Sequence, residues 1–591
     1  MKNLTKKQLA KNFQIIHESA KESYDSSRCM IGPSPELKKK ISAELKKLRS
    51  ANKGLITERI GVIPQSKVGF NDGLIYPGTM YPTGTSAAVA RSGAAERAPL
   101  SGTVRVAVVL VDFSDKVMTT SKSHFEDLFF SLGKISTGSV REYFREVSHG
   151  IIDIQGQVVG PYRMPKTLSQ YAHGASGTGG VSPNARTMAK DAAVASNPSI
   201  NFVPYDNDLD GFVDAFVVIH AGSGAEQTGS TGDIWSHKWV LEGGTPYTAD
   251  GSTKIYSYLT VPEDCRLGVC AHELGHLLFG FPDLYDTDYS SEGIGNWCLM
   301  AGGSWNNGGN TPAHPSAWCK CKQNWVTMEN HTTNKSNVAI EDVKSSYKVH
   351  RLWKNGASSN EYFLVENRQK NLFDKFIPNG GLLIWHIDEA TANNTNETHY
   401  KVALMQADGQ KDLENDNNRG DSGDCYPGST NNIKFNNTSN PNSKSYAGSN
   451  TCVAVNNISA PAAVMHADLA VKCRIIKNKK ELIIEKNRIH DKALAREKAI
   501  IHDKAVVIDK SIISEKPKDK TWVEKPTEKV GETGFGHIVG SDYSGIENLS
   551  LEERVAIIEA QLGLINNAES FIDPSLRPDL DDSALSDEES E

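Results

Sequence analysis

Two histidines and a glutamate stand close together in Cys-Ala-His-Glu-Leu-Gly-His-Leu-Leu-Phe-Gly-Phe-Pro-Asp-Leu-Tyr-Asp, residues 270–286. His272 and His276 are four residues apart, so in a helix both imidazoles project from one face, one turn apart. Two neutral imidazole nitrogens at that spacing can bind one Zn²⁺ ion. Glu273 can reach a water on the same metal, which is the position of a general base. The stretch therefore predicts a catalytic zinc centre.

A catalytic zinc ion needs a third protein ligand and one open position. Asp283 follows a Gly-Phe-Pro turn, so the chain can fold back and present its carboxylate to the metal. Asp286 and Asp288 remain alternatives for this ligand. Further along, Met300 lies in the glycine-bounded stretch 295–305, and we expect it to form a structural, apolar floor below the metal.

Several stretches of the chain resemble the M6 family of zinc metallopeptidases, the immune inhibitor A-like group of the metzincins. The resemblance covers roughly residues 100–430. One spacing differs, because a metzincin-type motif has its third ligand ten residues after the first histidine, whereas Asp283 comes eleven after His272. The matching pieces are His-Glu-Leu-Gly-His (272–276), Phe-Pro-Asp-Leu-Tyr-Asp (281–286), Trp-Cys-Leu-Met-Ala-Gly-Gly-Ser-Trp (297–305), Val-Leu-Val-Asp-Phe-Ser-Asp (109–115), Gly-Leu-Leu-Ile-Trp-His-Ile-Asp-Glu (381–389) and Gln-Ala-Asp-Gly (406–409).

This resemblance implies a metalloendopeptidase that hydrolyses proteins or peptides, with Zn²⁺ as cofactor and Glu273 as the base. It also implies a secreted, virulence-type peptidase. Tyr285 and Tyr289 are candidates for stabilising the oxyanion. The alternative is a non-catalytic binding protein stabilised by zinc and calcium. Glu273 argues against that alternative, because a structural zinc site has no use for a base.

Length and composition limit the other classes of function. A chain of 591 residues is too long for one core, so we expect three or four units. The net charge of −8 gives no case for nucleic-acid binding. The sequence has no run of 18 apolar residues, so it predicts no membrane span.

The N-terminal part predicts a helical leader or propeptide over residues 1–60 and a linker over 61–100. The first residues are basic but lack the apolar stretch of a signal peptide, which leaves non-standard export or a cytoplasmic location open. Cys29 precedes a proline-containing stretch and has two interpretations, a thiolate that caps the zinc or, more commonly, an ordinary thiol.

The middle of the chain predicts two modules. Residues 101–334 are expected to form an α/β (α+β) metzincin-like catalytic domain, with a buried strand at Val104–Phe113 and a strand of alternating residues at Ile151–Val159. Short strand-like runs separated by turn-rich loops over 335–471 predict an all-β, sandwich-like module. His314 is expected to pack in a turn beside Trp318 rather than to approach the metal.

An aspartate-rich loop at 205–214 is a candidate calcium site. Its carboxylates match four ligand positions of a calcium loop, but Val217 stands where the bidentate glutamate of an EF-hand would be. The competing interpretation is a solvated acidic turn. A second acidic loop, 408–424, has the same two interpretations. The four carboxylates of the first loop are Asp206, Asp208, Asp210 and Asp214.

Nine cysteines permit some disulfides but leave at least one thiol unpaired within the chain. Local pairing is possible for Cys265 with Cys270 and for Cys425 with Cys452. The alternative is a set of reduced, buried thiols.

The C-terminal part differs in composition from the rest. Residues 472–545 predict a charged stalk, in which Ile-His-Asp-Lys-Ala occurs at 489–493 and again at 501–505. Residues 546–591 predict a short coiled-coil helix and an acidic, disordered end. This tail is a candidate for homo-oligomer formation or for contact with a secretion partner, and the alternative is a dispensable, solvated tail.

Overall fold

A computed structural model of the chain describes residues 28–51, 99–473 and 488–496. They belong to two compact units, Met1–Ile476 and Lys477–Glu591. The described part of the second unit is a helix over 488–496, which contains the first copy of the predicted repeat. The predicted coiled coil, the acidic end and nearly all of the linker lie outside the described residues. Within the described ranges, every helix is too short or too polar to cross a bilayer.

A six-stranded mixed sheet forms the centre of the first unit. Its strand order is β1-β5-β8-β4-β2-β3, while β6 and β7 form a separate hairpin. The pairs from β3 to β8 are parallel, and β5 and β1 are added antiparallel at one edge. The strands are β1 (Cys29–Met30), β2 (Gly102–Asp112), β3 (Ile152–Arg163), β4 (Phe216–His220), β5 (His237–Val240), β6 (Tyr247–Thr248), β7 (Lys254–Ile255) and β8 (Ser257–Pro262).

Both faces of this sheet are covered, which explains the near-continuous apolar run predicted as a strand near Val104. Side chains alternate along β2, so Val106 and Val108 enter one hydrophobic core while Ala107 and Val109 enter another. Helices and short 3-10 turns surround the strands. The helices are α1 (Pro35–Ala51), α2 (Lys122–Phe130), α3 (Val140–Val147), α4 (Leu168–Ala172), α5 (Ala185–Ser196), α6 (Ala225–Thr228), α7 (Leu267–Phe279), α8 (Ala317–Lys322) and α9 (Val343–Ser346). The 3-10 turns are Asn197–Ser199, Val203–Tyr205, Glu242–Gly244, Gly295–Trp297, Gly302–Gly309, Lys354–Gly356 and Leu372–Phe376.

Helix α7 carries the predicted zinc motif and is buried along its whole length. Such burial suits its sequence, since a helix that is apolar nearly all round belongs in a core. It ends at Gly280, whose φ of 63° lies in the left-handed region and whose N–H bonds back to the last helical carbonyls. This glycine turns the chain back toward the helix.

The residues beyond 326 form two further sheets. One has the order β14-β13-β12-β11-β9, and the other has the order β10-β16-β15. Leu364 and Trp385 of the five-stranded sheet share one hydrophobic core with Leu274 of α7. The strands are β9 (Thr327–Asn330), β10 (Lys335–Glu341), β11 (Lys348–Leu352), β12 (Glu361–Arg368), β13 (Gly381–Asp388), β14 (Val402–Leu404), β15 (Ala454–Asn456) and β16 (Val464–Ala470). The mixed α/β class is confirmed.

The pairing considered for Cys425 and Cys452 is wrong. Cys452 forms a disulfide with Cys473, while the Cys425 thiol lies 3.4 Å from the carbonyl oxygen of Gly380. Cys265 and Cys270 stay reduced, with their sulfurs 3.5 Å apart. Cys452 has positive φ, and its disulfide joins it to a residue 21 positions further along the chain.

Candidate metal centre

The two histidines of α7 lie side by side in the core. Their ring centroids are 4.7 Å apart, and His272 Nε2 lies 3.0 Å from His276 Nε2. Both side chains are fully buried. The helical spacing of four residues produces this approach, as the sequence predicts.

The turn that begins at Gly280 brings Asp283 to the same point. Its Oδ1 lies 3.2 Å from His272 Nε2 and 3.1 Å from His276 Nε2. Asp283 comes one residue later than the third ligand of a metzincin-type motif. The chain accommodates this extra residue between the end of α7 and Asp283, where it leaves the helix through the left-handed Gly280. Burial alone would raise the pKa of Asp283, but His276 and His272 lower it below its usual value.

Backbone carbonyls determine which histidine nitrogens face the centre. His272 Nδ1 lies 3.0 Å from Leu299 O, and His276 Nδ1 bonds to Phe281 O. A carbonyl only accepts hydrogen bonds, so each Nδ1 carries the hydrogen and each Nε2 has a free lone pair. Burial lowers the pKa of His276, which favours this neutral form.

Three lone-pair atoms therefore converge without a hydrogen to separate them. Two neutral nitrogens and a carboxylate oxygen at 3.0 to 3.2 Å repel one another unless a cation lies among them. Ligands with bonds of 2.0–2.1 Å to a tetrahedral Zn²⁺ ion are about 3.3 Å apart. The residues present thus fit zinc, and the atoms that could hold it belong to His272, His276 and Asp283.

Met300 lies directly below the helix, where the sequence predicts an apolar floor. A Cβ on Gly275, the residue preceding His276, would lie 2.9 Å from Met300 Sδ. Met300 is fully buried, and its carbonyl accepts a hydrogen bond of 2.8 Å from Leu284 N. Only a glycine lets the thioether approach the helix this closely, so Gly275 and Met300 together support the segment that carries both histidines.

Glu273 is buried beside the histidines. Neither of its carboxylate oxygens has a hydrogen-bond partner among the described residues. Burial raises the pKa of Glu273 well above its usual value, and the nearby Asp283 carboxylate raises it further. A buried carboxyl group without a partner costs free energy, which points to a role other than stabilising the fold.

The loop whose Leu299 carbonyl orients His272 is itself held by His314 and Glu146, contacts that no motif in the sequence predicts. Leu299 N donates a hydrogen bond of 3.2 Å to His314 O, and His314 Nε2 lies 2.8 Å from Glu146 Oε1. His314 therefore acts away from the metal, through the loop whose Leu299 carbonyl orients His272. The role of the Leu299 carbonyl cannot be recognised in the sequence, because every residue has a backbone carbonyl. The sequence signal nearest to it is the neighbouring Met300 in its glycine-bounded stretch.

Asp286 and Asp288, the alternative candidates for the third ligand, lie in the turn that follows Asp283. Asp286 Oδ1 accepts a hydrogen bond of 3.0 Å from Asp288 N, and its Oδ2 accepts one of 2.8 Å from Ser290 Oγ. Burial and the Asp288 carboxylate raise the pKa of Asp286 to about 7. These contacts hold a turn and leave Asp283 as the carboxylate that reaches the histidines.

The two candidate tyrosines lie beside this centre. The ring of Tyr285 is 6.5 Å from the ring of His272, and Tyr289 stacks on Tyr285 with centroids 6.5 Å apart. Tyr285 Oη donates a hydrogen bond of 2.7 Å to the carbonyl oxygen of Met30. Tyr285 thus already bonds a peptide carbonyl next to the histidines.

The structure brings together three acidic residues of each loop, and Asp214, the fourth predicted ligand of the first loop, is not in its group. Asp206, Asp208 and Asp210 have carboxylate oxygens within 4.8 Å of one another. Asp206 accepts hydrogen bonds from Asp210 N at 3.0 Å and Gly211 N at 2.9 Å, while Asp214 Oδ2 accepts one of 2.6 Å from the N–H of residue 207. In the second loop, the corresponding group consists of Asp408, Asp421 and Asp424.

Comparison with known protein families shows that residues 100–332 match the catalytic domain of the family described as immune inhibitor A peptidase M6. Pre-pro-metalloprotease PrtV from two strains of Vibrio cholerae serotype O1 is 34% identical over 236 residues, covering 34% of this chain and 25% of PrtV. Immune inhibitor A of Bacillus thuringiensis subsp. alesti is 35% identical over 224 residues, covering 31% of this chain and 32% of that protein.

The chain therefore spans a quarter to a third of the length of these curated relatives. The matched segment contains α7, the Gly280 turn and the Met300 loop, which are the elements that build the centre. The predicted resemblance to the M6 family of metallopeptidases is confirmed for residues 100–332.

Proposed function

We propose that this protein is a zinc-dependent endopeptidase that hydrolyses peptide bonds of proteins. In this proposal His272, His276 and Asp283 hold Zn²⁺, and Glu273 is the general base. The observation that carries it is the convergence of three lone-pair atoms, 3.0 to 3.2 Å apart, beside a buried carboxylate without a partner. When bound, zinc acts as a Lewis acid that polarises the peptide carbonyl and activates water for attack at neutral pH.

Glu273 supplies the proton transfers in this mechanism. Its carboxylate takes a proton from the attacking water and later returns it to the nitrogen of the leaving amine. Burial favours the protonated carboxyl group, since it raises the pKa of Glu273 well above the usual value. A base must be ionised before attack, and a cation held by His272, His276 and Asp283 would favour that ionised form of Glu273.

Tyr285 is suited to orient the substrate. Its hydroxyl donates to a main-chain carbonyl in the structure, that of Met30 at 2.7 Å, and lies next to the histidine pair. A donor in this position can hold the carbonyl of the bond to be cleaved and stabilise the negative charge that develops there. Its ring is buried against Tyr289, which limits its freedom to move.

The proposal predicts proteolysis that depends on the metal. Purified protein, tested with its leader intact and after limited proteolysis, is expected to cleave casein, and a zinc chelator is expected to stop the cleavage. Returning Zn²⁺ should restore it. A zinc-loaded, leader-free protein that cleaves neither casein nor an unfolded protein would instead favour the non-catalytic binding protein.

We propose in addition that the 206–214 loop binds Ca²⁺, supported by the three carboxylates that meet there. A calcium-selective chelator is expected to lower the melting temperature by a few degrees, because bound calcium stabilises the native state by about 2.7 kcal/mol at 100 times its Kd. The double variant Asp208→Asn, Asp210→Asn should lose most of this shift.

Differential scanning fluorimetry measures the calcium effect. Adding Mg²⁺ in place of Ca²⁺ serves as the control, and zinc content is followed in the same samples so that zinc loss is not mistaken for calcium loss. An equal chelator effect in the double variant and the unchanged chain would assign calcium to another place, such as the cluster of Asp408, Asp421 and Asp424.

A further inference from the structure

Two parallel strands at one edge of the five-stranded sheet carry two histidines and a glutamate. Strand β9 forms the edge and pairs with β11, which places Glu329 directly opposite His350. His331 follows Glu329 by two residues, and its N–H bonds to Arg351 O at 3.1 Å, so the chain still runs alongside β11 at that point. Side chains two residues apart in an extended chain lie on one face. The strand pairing therefore brings Glu329, His331 and His350 together as an edge cluster.

The atoms that meet in the edge cluster are ones that bind metals. His331 Nε2 lies 2.9 Å from His350 Nδ1 and 3.6 Å from Glu329 Oε1, and Glu329 Oε2 lies 3.9 Å from His350 Nδ1. Both histidines are buried, whereas a third of the Glu329 side chain is exposed. The cluster thus has a buried nitrogen side and an oxygen side that is open to solvent, through which an ion can enter.

A hydrogen bond between the two rings does not account for their burial. Burial lowers the pKa of both histidines, that of His350 to about 4, so both imidazoles are neutral at pH 7. His331 Nδ1 is buried and has no hydrogen-bond partner among the described residues. Whichever ring donates in the contact between them, this nitrogen stays unsatisfied, which costs free energy. Structural zinc binding is worth many times one hydrogen bond and can offset that cost.

The donor set and its dimensions fit zinc. Two neutral imidazole nitrogens and a carboxylate oxygen are ligands that zinc accepts, whereas calcium and magnesium prefer oxygen alone. A tetrahedral ion with bonds of 2.0–2.1 Å has ligand atoms about 3.3 Å apart. The three distances in the edge cluster, 2.9, 3.6 and 3.9 Å, lie on both sides of that value. None of the three residues belongs to α7 or to the turns around the first metal centre.

Two lysines compete with a metal for the carboxylate. Lys335 Nζ donates to Glu329 Oε1 at 2.9 Å, and Lys348 Nζ lies 3.8 Å from Glu329 Oε2. Both lysine side chains are about half exposed. Exposed ion pairs contribute little free energy, so these ammonium groups can move into solvent when a divalent ion binds. They reduce the affinity of the cluster for a metal without blocking it.

We propose that the edge cluster is a second metal site, in which His331 Nε2, His350 Nδ1 and a Glu329 oxygen bind a divalent transition-metal ion such as Zn²⁺. As the ion binds, the hydrogen between the two rings moves to the outer nitrogen of the ring that carried it, and both facing lone pairs bind the metal. The ion clamps β9 to β11. Trp325, two residues before β9, packs on Phe279 at the end of α7 with ring centroids 4.9 Å apart. The clamp therefore stabilises the segment that joins the catalytic domain to the five-stranded sheet.

The first test counts the bound ions. The full chain is dialysed against a zinc-buffered solution and its zinc is measured by elemental analysis, with excess Ca²⁺ present so that the acidic loops do not take up zinc. We expect Glu329→Gln to bind zinc more than about tenfold more weakly at one site and to lose about one ion per chain, because the amide lacks the carboxylate charge. Glu361→Gln is the matched control, since Glu361 pairs at 2.8 Å with one buried histidine, His386, in the same sheet. This control should keep its zinc.

The second test uses a gain in affinity, which a variant with a damaged fold would not show. Lys335→Ala removes the ammonium group that competes for Glu329, at a position where the side chain is half exposed. We expect the zinc affinity of the edge cluster to rise about two- to fivefold, the range that release of an exposed ion pair allows. Titration against a fluorescent zinc chelator measures it. Lys370→Ala removes an exposed lysine that donates to Pro378 O instead, and it should leave the affinity unchanged.

The outcomes distinguish the second site from the peptidase proposal. Unchanged zinc content in Glu329→Gln, together with unchanged affinity in Lys335→Ala, would leave only a hydrogen-bonded pair of histidines and overturn the inference, while the peptidase proposal would stand. Loss of one ion from Glu329→Gln in a chain that still cleaves casein supports both. The same loss in a chain that never cleaves casein supports the second site and overturns the peptidase proposal. If circular dichroism shows that Glu329→Gln is unfolded, the Lys335→Ala titration decides.

Discussion

Replacing Glu273 with Gln is expected to lower kcat/KM for casein by about 10²- to 10⁴-fold, the usual contribution of a positioned general base. Zinc content should stay unchanged, because the three atoms that converge belong to His272, His276 and Asp283. The isosteric amide preserves the packing around a fully buried side chain while removing its capacity to take up a proton. Elemental analysis and steady-state kinetics on leader-free protein measure both quantities.

Glu226→Gln is the matched control for this experiment. Glu226 is also fully buried, and burial raises its pKa to about 7, so a neutral side chain is already tolerated at this position. Its carboxylate accepts hydrogen bonds from Ser236 N at 3.0 Å and Ser236 Oγ at 2.8 Å. We expect this variant to keep its activity within a few-fold. Near-full turnover of Glu273→Gln would show that the proposed base is wrong.

Asp283→Ala is expected to weaken zinc binding by more than about 100-fold, because even residues that only support a ligand contribute 10- to 100-fold. The remaining two histidine nitrogens would hold the metal without a carboxylate to balance its charge. Competition with a fluorescent zinc chelator gives the affinity directly. Circular dichroism of the same sample shows whether the fold is retained.

Asp286→Ala is the comparison that tests the choice between the carboxylates. It removes the hydrogen bonds to Asp288 N and Ser290 Oγ and should therefore reduce stability, but it leaves the three converging atoms in place. Zinc affinity close to that of the unchanged chain is expected for Asp286→Ala and for Asp288→Ala. If all three variants bound zinc equally well, the third ligand would have to be sought elsewhere.

Local spacing accounts for the parts of this molecule that sequence reasoning could predict. A period of four residues brings His272 next to His276 in any helix, and a glycine past the last apolar turn ends that helix. The strand near Val104 follows from its length and its β-branched residues, since a strand covered on both faces is apolar along its buried part, here Val106 to Val111. These features depend on neighbours within a few residues.

The contacts that complete the centre join distant parts of the chain. Leu299 offers only a backbone carbonyl to His272, and a carbonyl looks the same in every residue. The sequence left the partner of Cys452 open, with Cys425 as one possibility, and only the fold shows that Cys473 lies at disulfide distance from it.

Residues 270–286 were enough to predict a helix that places His272 beside His276 with Glu273 adjacent, because helical geometry alone positions these side chains. Asp283 stands one residue further along than the third ligand of a metzincin-type motif. It reaches the histidines because of the way the chain turns at Gly280, which the sequence alone does not determine. The position of Cys29 depended on the pairing of β1 with β5, more than 200 residues away. Such pairing is selected by the whole packed sheet, and no local pattern records it.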